Sequence, residues 1–167
     1  MKEARHHMAA VDDVIQRALA APYTMGVPRL PSSGVTIVTC MDTRMDVRRI
    51  FNLGDGEVHV IRNAGGYATP DVLRSLTISQ RKIGTREILV CHHTDCGMSG
   101  HNDAEFRSMV AAETGELPPW DVEGYADEHD AVANSVALIR ACVYIPFRDH
   151  VRGVLYDVKT GQLDVVC

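Results

Sequence analysis

The chain has 167 residues, the length of one domain with a substantial core, and its apolar fraction of 46% is ordinary for a globular protein. Its net charge of −5 and lack of a basic run give no support for nucleic-acid binding, and no apolar stretch approaches the roughly 18 residues that span a membrane. With no signal-peptide pattern and an odd count of five cysteines, we expect a cytoplasmic protein with reduced thiols.

The first part of the chain predicts a helix followed by an extended arm. Apolar positions at Val11, Ile15 and Leu19 predict an amphipathic helix over residues 9–20, and the proline-containing stretch 22–33 predicts a connector. Such a helix and arm have little of their own to pack against. We therefore divide the chain into an N-terminal helix and arm, residues 1–33, which needs a surface outside itself to pack on, and an α/β domain, residues 34–167.

The rest of the chain predicts strands that alternate with helices. Thr69 and Pro70 are typical of a helix N-cap and first helical position, and Gly54 and Gly84 are typical of helix ends. Apolar and β-branched runs predict the strands. In chain order we expect a strand at 35–39, a helix at 46–53, a strand at 58–61, a helix at 70–83, a strand at 87–91, helices at 103–113 and 126–142, and a strand pair within 151–166.

Three residues of the type that binds metals lie where two predicted strands end. Cys40 follows the first strand, and His93 and Cys96 follow the third. Two thiolates and one imidazole suit zinc, and three protein ligands leave a fourth tetrahedral position open, as in catalytic zinc sites. The alternative interpretation is a pair of buried thiols with a surface histidine.

A shared zinc constrains the topology of the sheet. Alternating strands and helices predict a mostly parallel sheet flanked by helices. Because Cys40 and His93 must converge, the first and third strands should be neighbours, which predicts an order beginning 2-1-3, then 4, with a C-terminal antiparallel strand. The metal would then lie at the topological switch point, where open α/β sheets bind ligands.

Asp42 and Arg44 lie close to the first ligand in sequence. The carboxylate of Asp42 could accept a hydrogen bond from a zinc-bound oxygen, or it could occupy the fourth metal position itself. Arg44 could decide between these states by binding the carboxylate bidentately. A surface ion pair that caps the next helix is the alternative.

Together these motifs resemble the β-class carbonic anhydrases. The resemblance rests on Cys40-x-Asp42-x-Arg44, on His93-x-x-Cys96-Gly97, on the residues 62–65 and on the ending 153–163, in the family's order over about residues 35–163. It implies one Zn²⁺ per chain and reversible hydration of carbon dioxide to bicarbonate and a proton by zinc-bound hydroxide, with Asp42 and Arg44 controlling the fourth position. It also implies a homodimer, or a larger assembly, in which the N-terminal helix reaches across the partner.

The pocket departs from the family pattern. Pro31 stands near the position where many relatives have a glutamine, and Met41 and Thr43 replace common serines. These differences leave a carbonyl sulfide or carbon disulfide hydrolase with the same zinc centre as the competing enzyme. A non-catalytic zinc-stabilised binding module is the alternative of another class, and a thiol redox protein is disfavoured because no Cys-x-x-Cys pair is present.

Three further residues are weaker candidates. The backbone N–H of Gly97 could bind the substrate anion. His92 and His101 are candidate proton shuttles, although a surface histidine outside the chemistry is the favoured interpretation for each.

Overall fold

Five strands form one sheet in the order β2-β1-β3-β4-β5 in a computed structural model that describes residues 9–167. Residues 1–8 of the predicted N-terminal segment lie outside the described part. The first four strands are parallel, and β5 pairs antiparallel with β4. The predicted topology is therefore confirmed. The strands are β1 (Val35–Cys40), β2 (Val58–Asn63), β3 (Glu87–His93), β4 (Val151–Tyr156) and β5 (Leu163–Val165).

Five α-helices connect and flank the strands in the described residues, close to the predicted positions. A 3-10 turn (Ala64–Gly66) follows β2, and a π-helical turn (Ser79–Ile83) extends α3 up to Gly84, which has φ +106°. The helices are α1 (Ala10–Ala20), α2 (Val47–Ile50), α3 (Pro70–Ile78), α4 (Asp103–Thr114) and α5 (Glu128–Ala141).

One predicted helix end is wrong. Helix α2 is much shorter than 46–53, because the chain leaves helical geometry at Phe51 and takes a left-handed turn at Asn52 (φ +51°). Thr69 and Pro70 stand at the N-cap and the first position of α3 as predicted, although the Thr69 hydroxyl makes no cap hydrogen bond. It lies instead 3.4 Å from the side-chain nitrogen of Asn63, which donates to it.

The central strands β1 and β3 are buried on both faces, as expected for parallel strands covered by helices. Successive side chains of a strand point to opposite faces. On β3, Val90 packs in a cluster with α3 and α5, whereas Cys91 packs in a second cluster with α2 on the other face. Neighbouring strands are in register, so that Thr39 of β1 pairs with Cys91 of β3. The carboxyl ends of β1 and β3 therefore meet at one edge of the sheet.

Helix α1 lies outside both clusters. None of its residues is buried, and Val11, Val14 and Leu19 are each more than 60% exposed. The arm after it contacts the start of β2: Tyr23 donates to Asp55 at 3.0 Å, and the backbone N–H of Ser32 donates to the carbonyl of Gly56 at 3.1 Å. Among residues 9–167, no helix is long and apolar enough to cross a membrane.

Candidate metal centre

Cys40, His93 and Cys96 converge at the carboxyl ends of β1 and β3. One ligand atom from each, the two sulfurs and a ring nitrogen, lie within 4.8 Å of one another, and all three residues are buried. The sulfurs are 3.9 Å apart. Tetrahedral zinc with Zn–S bonds of about 2.3 Å requires sulfurs about 3.8 Å apart. The donor set and its spacing therefore fit zinc.

The hydrogen bonds of His93 determine which of its nitrogens can bind a metal. Nδ1 lies 2.9 Å from the carbonyl oxygen of Thr94, and since a carbonyl only accepts, Nδ1 carries the proton. The lone pair is then on Nε2, which is buried and has no hydrogen-bond partner in the described part of the chain. A buried imidazole nitrogen without a partner, with the other nitrogen donating to a carbonyl, is the arrangement of a metal-ligating histidine.

His92 and His93 point to opposite faces of the sheet because they are adjacent on β3. His92 is fully buried, and its Nε2 donates to the carbonyl of Gly66 at 3.1 Å. Burial lowers the pKa of His92 to about 4, so the ring is neutral at physiological pH. The expectation of a surface histidine is wrong, because β3 continues two residues past Cys91 under the cover of α5. His92 supports the turn beneath Cys40.

Without a metal, the electrostatics of the two cysteines favour one thiol, Cys40, that shares its proton with one thiolate, Cys96. The hydrogen bond between the sulfurs, together with burial, raises the pKa of Cys40, and the same hydrogen bond lowers the pKa of Cys96. Burial lowers the pKa of His93, but the neighbouring Cys96 thiolate and the hydrogen bond to the carbonyl of Thr94 outweigh burial and raise that pKa. A cation among these groups would replace the shared protons and compensate two thiolates.

Asp42 is held beside this group by Arg44. Two guanidinium nitrogens of Arg44 donate to the two carboxylate oxygens at 3.0 and 2.8 Å, and the Arg44 backbone N–H donates to one of them at 2.8 Å. These hydrogen bonds keep the pKa of Asp42 well below its usual range. Oδ2 of Asp42 lies 3.9 Å from Nε2 of His93. The carboxylate of Asp42 is thus ionised and lies beside the three candidate metal ligands, and Arg44 fixes its position.

Asp95 also forms an ion pair with Arg44, a contact that the sequence does not predict. Arg44 donates to its carboxylate at 2.8 Å and to its backbone carbonyl at 2.8 Å. Asp95 has φ +56°. This left-handed turn between His93 and Cys96 therefore brings a second carboxylate to the guanidinium, and Arg44 connects the two ligand-bearing segments.

Arg62 of β2 and Gly66 of the following 3-10 turn contact the backbone at Cys40. Arg62 donates to the carbonyls of Cys40 at 3.0 Å and of Asp42 at 2.6 Å. Gly66 has φ +73°, and a β-carbon there would lie 2.8 Å from the backbone nitrogen of Cys40. Glycine is therefore required where the 3-10 turn passes beneath the ligand. Because Cys40 pairs with Asn63 in the sheet, the register brings this turn to the site.

The remaining candidates lie nearby without a polar contact to the three ligands. His101 is exposed and lines a cavity of about 400 Å³ together with Met98, Trp120 and Glu123. Gly97 follows Cys96 in the turn, and a β-carbon there would have no neighbour within 4 Å. Its role in substrate binding stays a prediction.

Comparisons with known proteins cover nearly the whole chain. Residues 35–135 match the family model described as carbonic anhydrase. β-Carbonic anhydrase 1 of Mycobacterium tuberculosis is 42% identical over 161 residues, which cover 95% of this chain and 99% of that protein. Carbon disulfide hydrolase of Acidianus sp. is 42% identical over 151 residues, covering 76% and 74%. Among solved structures, a carbonic anhydrase from Streptococcus mutans matches with TM-score 0.87 and 36% identity, covering 96% and 99%.

Proposed function

The chain belongs to the β-carbonic anhydrase family, and from this premise we propose that it binds one Zn²⁺ and catalyses the reversible hydration of carbon dioxide to bicarbonate and a proton. The observation that carries the proposal is the buried convergence of Cys40, His93 and Cys96 beside the ionised carboxylate of Asp42. A zinc ion held by these three residues supplies a Lewis acid with one open coordination position.

Asp42 orients the attacking water. Oδ1 of Asp42 accepts two hydrogen bonds from Arg44, whereas Oδ2 accepts one and keeps a second lone pair on the side of the three ligands. The carboxylate accepts a hydrogen bond there and directs the oxygen lone pair of the nucleophile at the carbon of carbon dioxide. Because the pKa of Asp42 is low, it acts as an acceptor, and the proton released by the reaction goes to buffer.

Arg44 keeps Asp42 available for this role. A carboxylate free to rotate could bind the metal itself and close the fourth position. The bidentate contact opposes that rotation, and the additional hydrogen bonds from Arg44 to Asp95 hold the guanidinium in place. The pair therefore controls access to the open position.

The test is stopped-flow hydration of carbon dioxide by zinc-loaded protein. We expect hydration that is lost in Cys40→Ser and falls by a factor of about 10²–10⁴ in Asp42→Asn, which keeps the size of the side chain but removes its charge. Asp46→Asn is the matched control, because Asp46 caps α2 and asparagine caps equally well. A zinc-loaded protein without activity between pH 6 and pH 9 would refute the proposal and favour the non-catalytic module.

Carbon disulfide or carbonyl sulfide hydrolysis is the second candidate activity. It is favoured by the 42% identity to the Acidianus carbon disulfide hydrolase and by a second carbon disulfide hydrolase, from Acidithiobacillus thiooxidans, at 30% identity. Both substrates are linear electrophiles like carbon dioxide. Hydrogen sulfide release from each, measured beside carbon dioxide hydration on the same preparation, separates the two activities by their kcat/KM values.

For the assembly we propose a homodimer in which α1 of each subunit packs on the other. The exposed apolar face of α1 is suited to a groove of about 650 Å³ between α3 and the segment after α5. The groove includes Arg74 and Arg81, and the first turn of α1 carries Asp12 and Asp13. In this dimer, α1 of each subunit would occupy the groove of the other subunit. Residues 1–33 would then form a docking segment, separate from the catalytic domain of residues 34–167.

Light scattering tests this assembly. Leu19→Asp adds a charge to the apolar face of α1, and we expect a monomer because a buried unpaired carboxylate is costly. Gln16→Asp adds the same charge away from that face and should leave the dimer intact. A monomeric wild-type protein would refute the proposal. We also place the enzyme in the cytoplasm, where thiolate ligands stay reduced.

A further inference from the structure

Two thiolate ligands create a problem for the proposed reaction. Thiolates donate more charge to zinc than imidazoles do, and this weakens the acidity that the metal supplies. Hydrogen bonds to the sulfurs reduce that donation. Cys40 receives such a bond from the backbone, because the N–H of Asp42 lies 3.4 Å from its sulfur. The backbone at Gly65 also lowers the pKa of Cys40, and the backbone at Met98 lowers that of Cys96.

Tyr125 brings a phenol hydroxyl to the side of the two sulfurs. Its ring packs against the cluster that contains Cys40 and Cys96, with its centroid 6.2 Å from that of His92. The hydroxyl is close enough to Cys96 to lower the pKa of that thiol. The hydroxyl oxygen is fully buried and makes no hydrogen bond of good geometry to any described residue. A buried donor without a partner is costly unless a ligand or ion creates one.

The loop that carries Tyr125 is built onto the ligand turn. The backbone N–H of Gly100 donates to the carbonyl of Tyr125 at 2.7 Å, and Ser99 and Tyr125 form a short β-bridge. The ring edge lies 3.9 Å from the position that a β-carbon on Gly65 would take. Because Ser99 and Gly100 follow Cys96 by only a few residues, these contacts tie the backbone at Tyr125 to the ligand turn.

We propose that Tyr125 is a positioning residue whose hydroxyl donates a hydrogen bond to the Cys96 thiolate when the metal is bound. This inference rests on the zinc centre proposed above. The hydrogen bond holds the sulfur in the ligating orientation and withdraws part of its negative charge from the metal. Tyr125 thereby offsets the charge that a second thiolate adds, without touching the substrate or the metal.

The test compares Tyr125→Phe with Tyr67→Phe in zinc-binding and cobalt-substituted protein. Tyr125→Phe keeps the ring and removes only the donor. Tyr67 also lies next to His92, with ring centroids 6.4 Å apart, and provides the matched loss of a phenol hydroxyl. We expect Tyr125→Phe to weaken zinc binding about tenfold in chelator competition. We also expect the thiolate-to-cobalt charge-transfer band to move to longer wavelength, because the sulfur becomes a better donor. Tyr67→Phe should change neither.

Unfolding of the zinc-free protein separates this role from a packing role. The denaturation midpoint of chelator-treated Tyr125→Phe should equal or exceed that of the wild type, since the buried hydroxyl has no partner there to lose. An unchanged zinc affinity and an unchanged cobalt band would overturn the inference, even if carbon dioxide hydration is confirmed in the wild type. Conversely, a shifted band in a protein that hydrates no carbon dioxide would support the role of Tyr125 and refute the proposed activity.

Discussion

Gly66 provides a quantitative test of how the turn beneath Cys40 constrains that ligand. A β-carbon at this residue would lie 2.8 Å from the backbone nitrogen of Cys40 and 2.8 Å from the carbonyl carbon of Thr39. Neither atom belongs to a flexible side chain, and overpacking of this kind costs about 1–3 kcal/mol. The left-handed φ of +73° adds about 1–2 kcal/mol for any residue with a β-carbon. We therefore expect Gly66→Ala to lower the free energy of unfolding by about 2–5 kcal/mol.

Two other glycines separate the contributions. Gly100 has φ +75° but open space around its β-carbon position, so Gly100→Ala should lose only the conformational part, about 1–2 kcal/mol. Gly97 has open space and no positive φ, and Gly97→Ala should be neutral or stabilising by up to about 1 kcal/mol. Denaturant unfolding of the zinc-free proteins, followed by circular dichroism, measures all three.

Zinc binding provides the second readout for Gly66. Because the collision is with the backbone at Cys40, relief of the collision must move that ligand, and Gly66→Ala should also bind zinc less tightly than Gly100→Ala. If Gly66→Ala and Gly100→Ala unfold with the same free energy, the close approach is relieved at no cost. The turn then does not determine the position of Cys40, and the reasoning fails.

Arg44→Lys keeps the positive charge but loses the planar fork that binds Asp42, so kcat/KM for hydration should fall by about 10- to 100-fold, and an unchanged rate would show that charge alone suffices. Removal of zinc with a chelator should lower the free energy of unfolding by about 4 kcal/mol relative to protein at a zinc concentration 1,000 times the dissociation constant; equal denaturation midpoints would contradict a metal site. The hydrogen bond that His129 donates to the carboxylate of Asp164 at 2.9 Å raises the pKa of His129 above its usual 6.5. The contribution of this ion pair to stability is therefore complete below pH 6.5 and is lost as the pH rises through the raised pKa of His129. NMR titration should find a lower pKa for His129 in Asp164→Asn.

The order of the elements and the ligand set could be predicted from local patterns. Apolar periodicity identified the five strands and the long helices, since each pattern depends only on residues near in sequence. The spacing of Cys40, His93 and Cys96 at strand ends predicted the neighbouring position of β1 and β3, because one metal can be shared only by strands whose ends meet. Because side chains alternate between the two faces of a strand, the adjacent residues His92 and His93 of β3 point to opposite faces of the sheet. His92 was still assigned to the surface, because the predicted strand ended two residues too early.

The tertiary structure alone decided which groups surround the ligands. Asp95 joins Arg44, Arg62 donates to the backbone at Cys40, and the hydroxyl of Tyr125 lies close to Cys96. These contacts join segments that lie 22–51 positions apart, or come from a loop without periodicity, so no local pattern encodes them. The tautomer of His93 was decided in the same way, by a carbonyl that the turn after β3 presents to Nδ1. Sequence alone determined which atoms could bind the metal, because ligand chemistry belongs to the residue. Folding determined how those atoms are oriented, because orientation depends on neighbours that only the folded chain brings together.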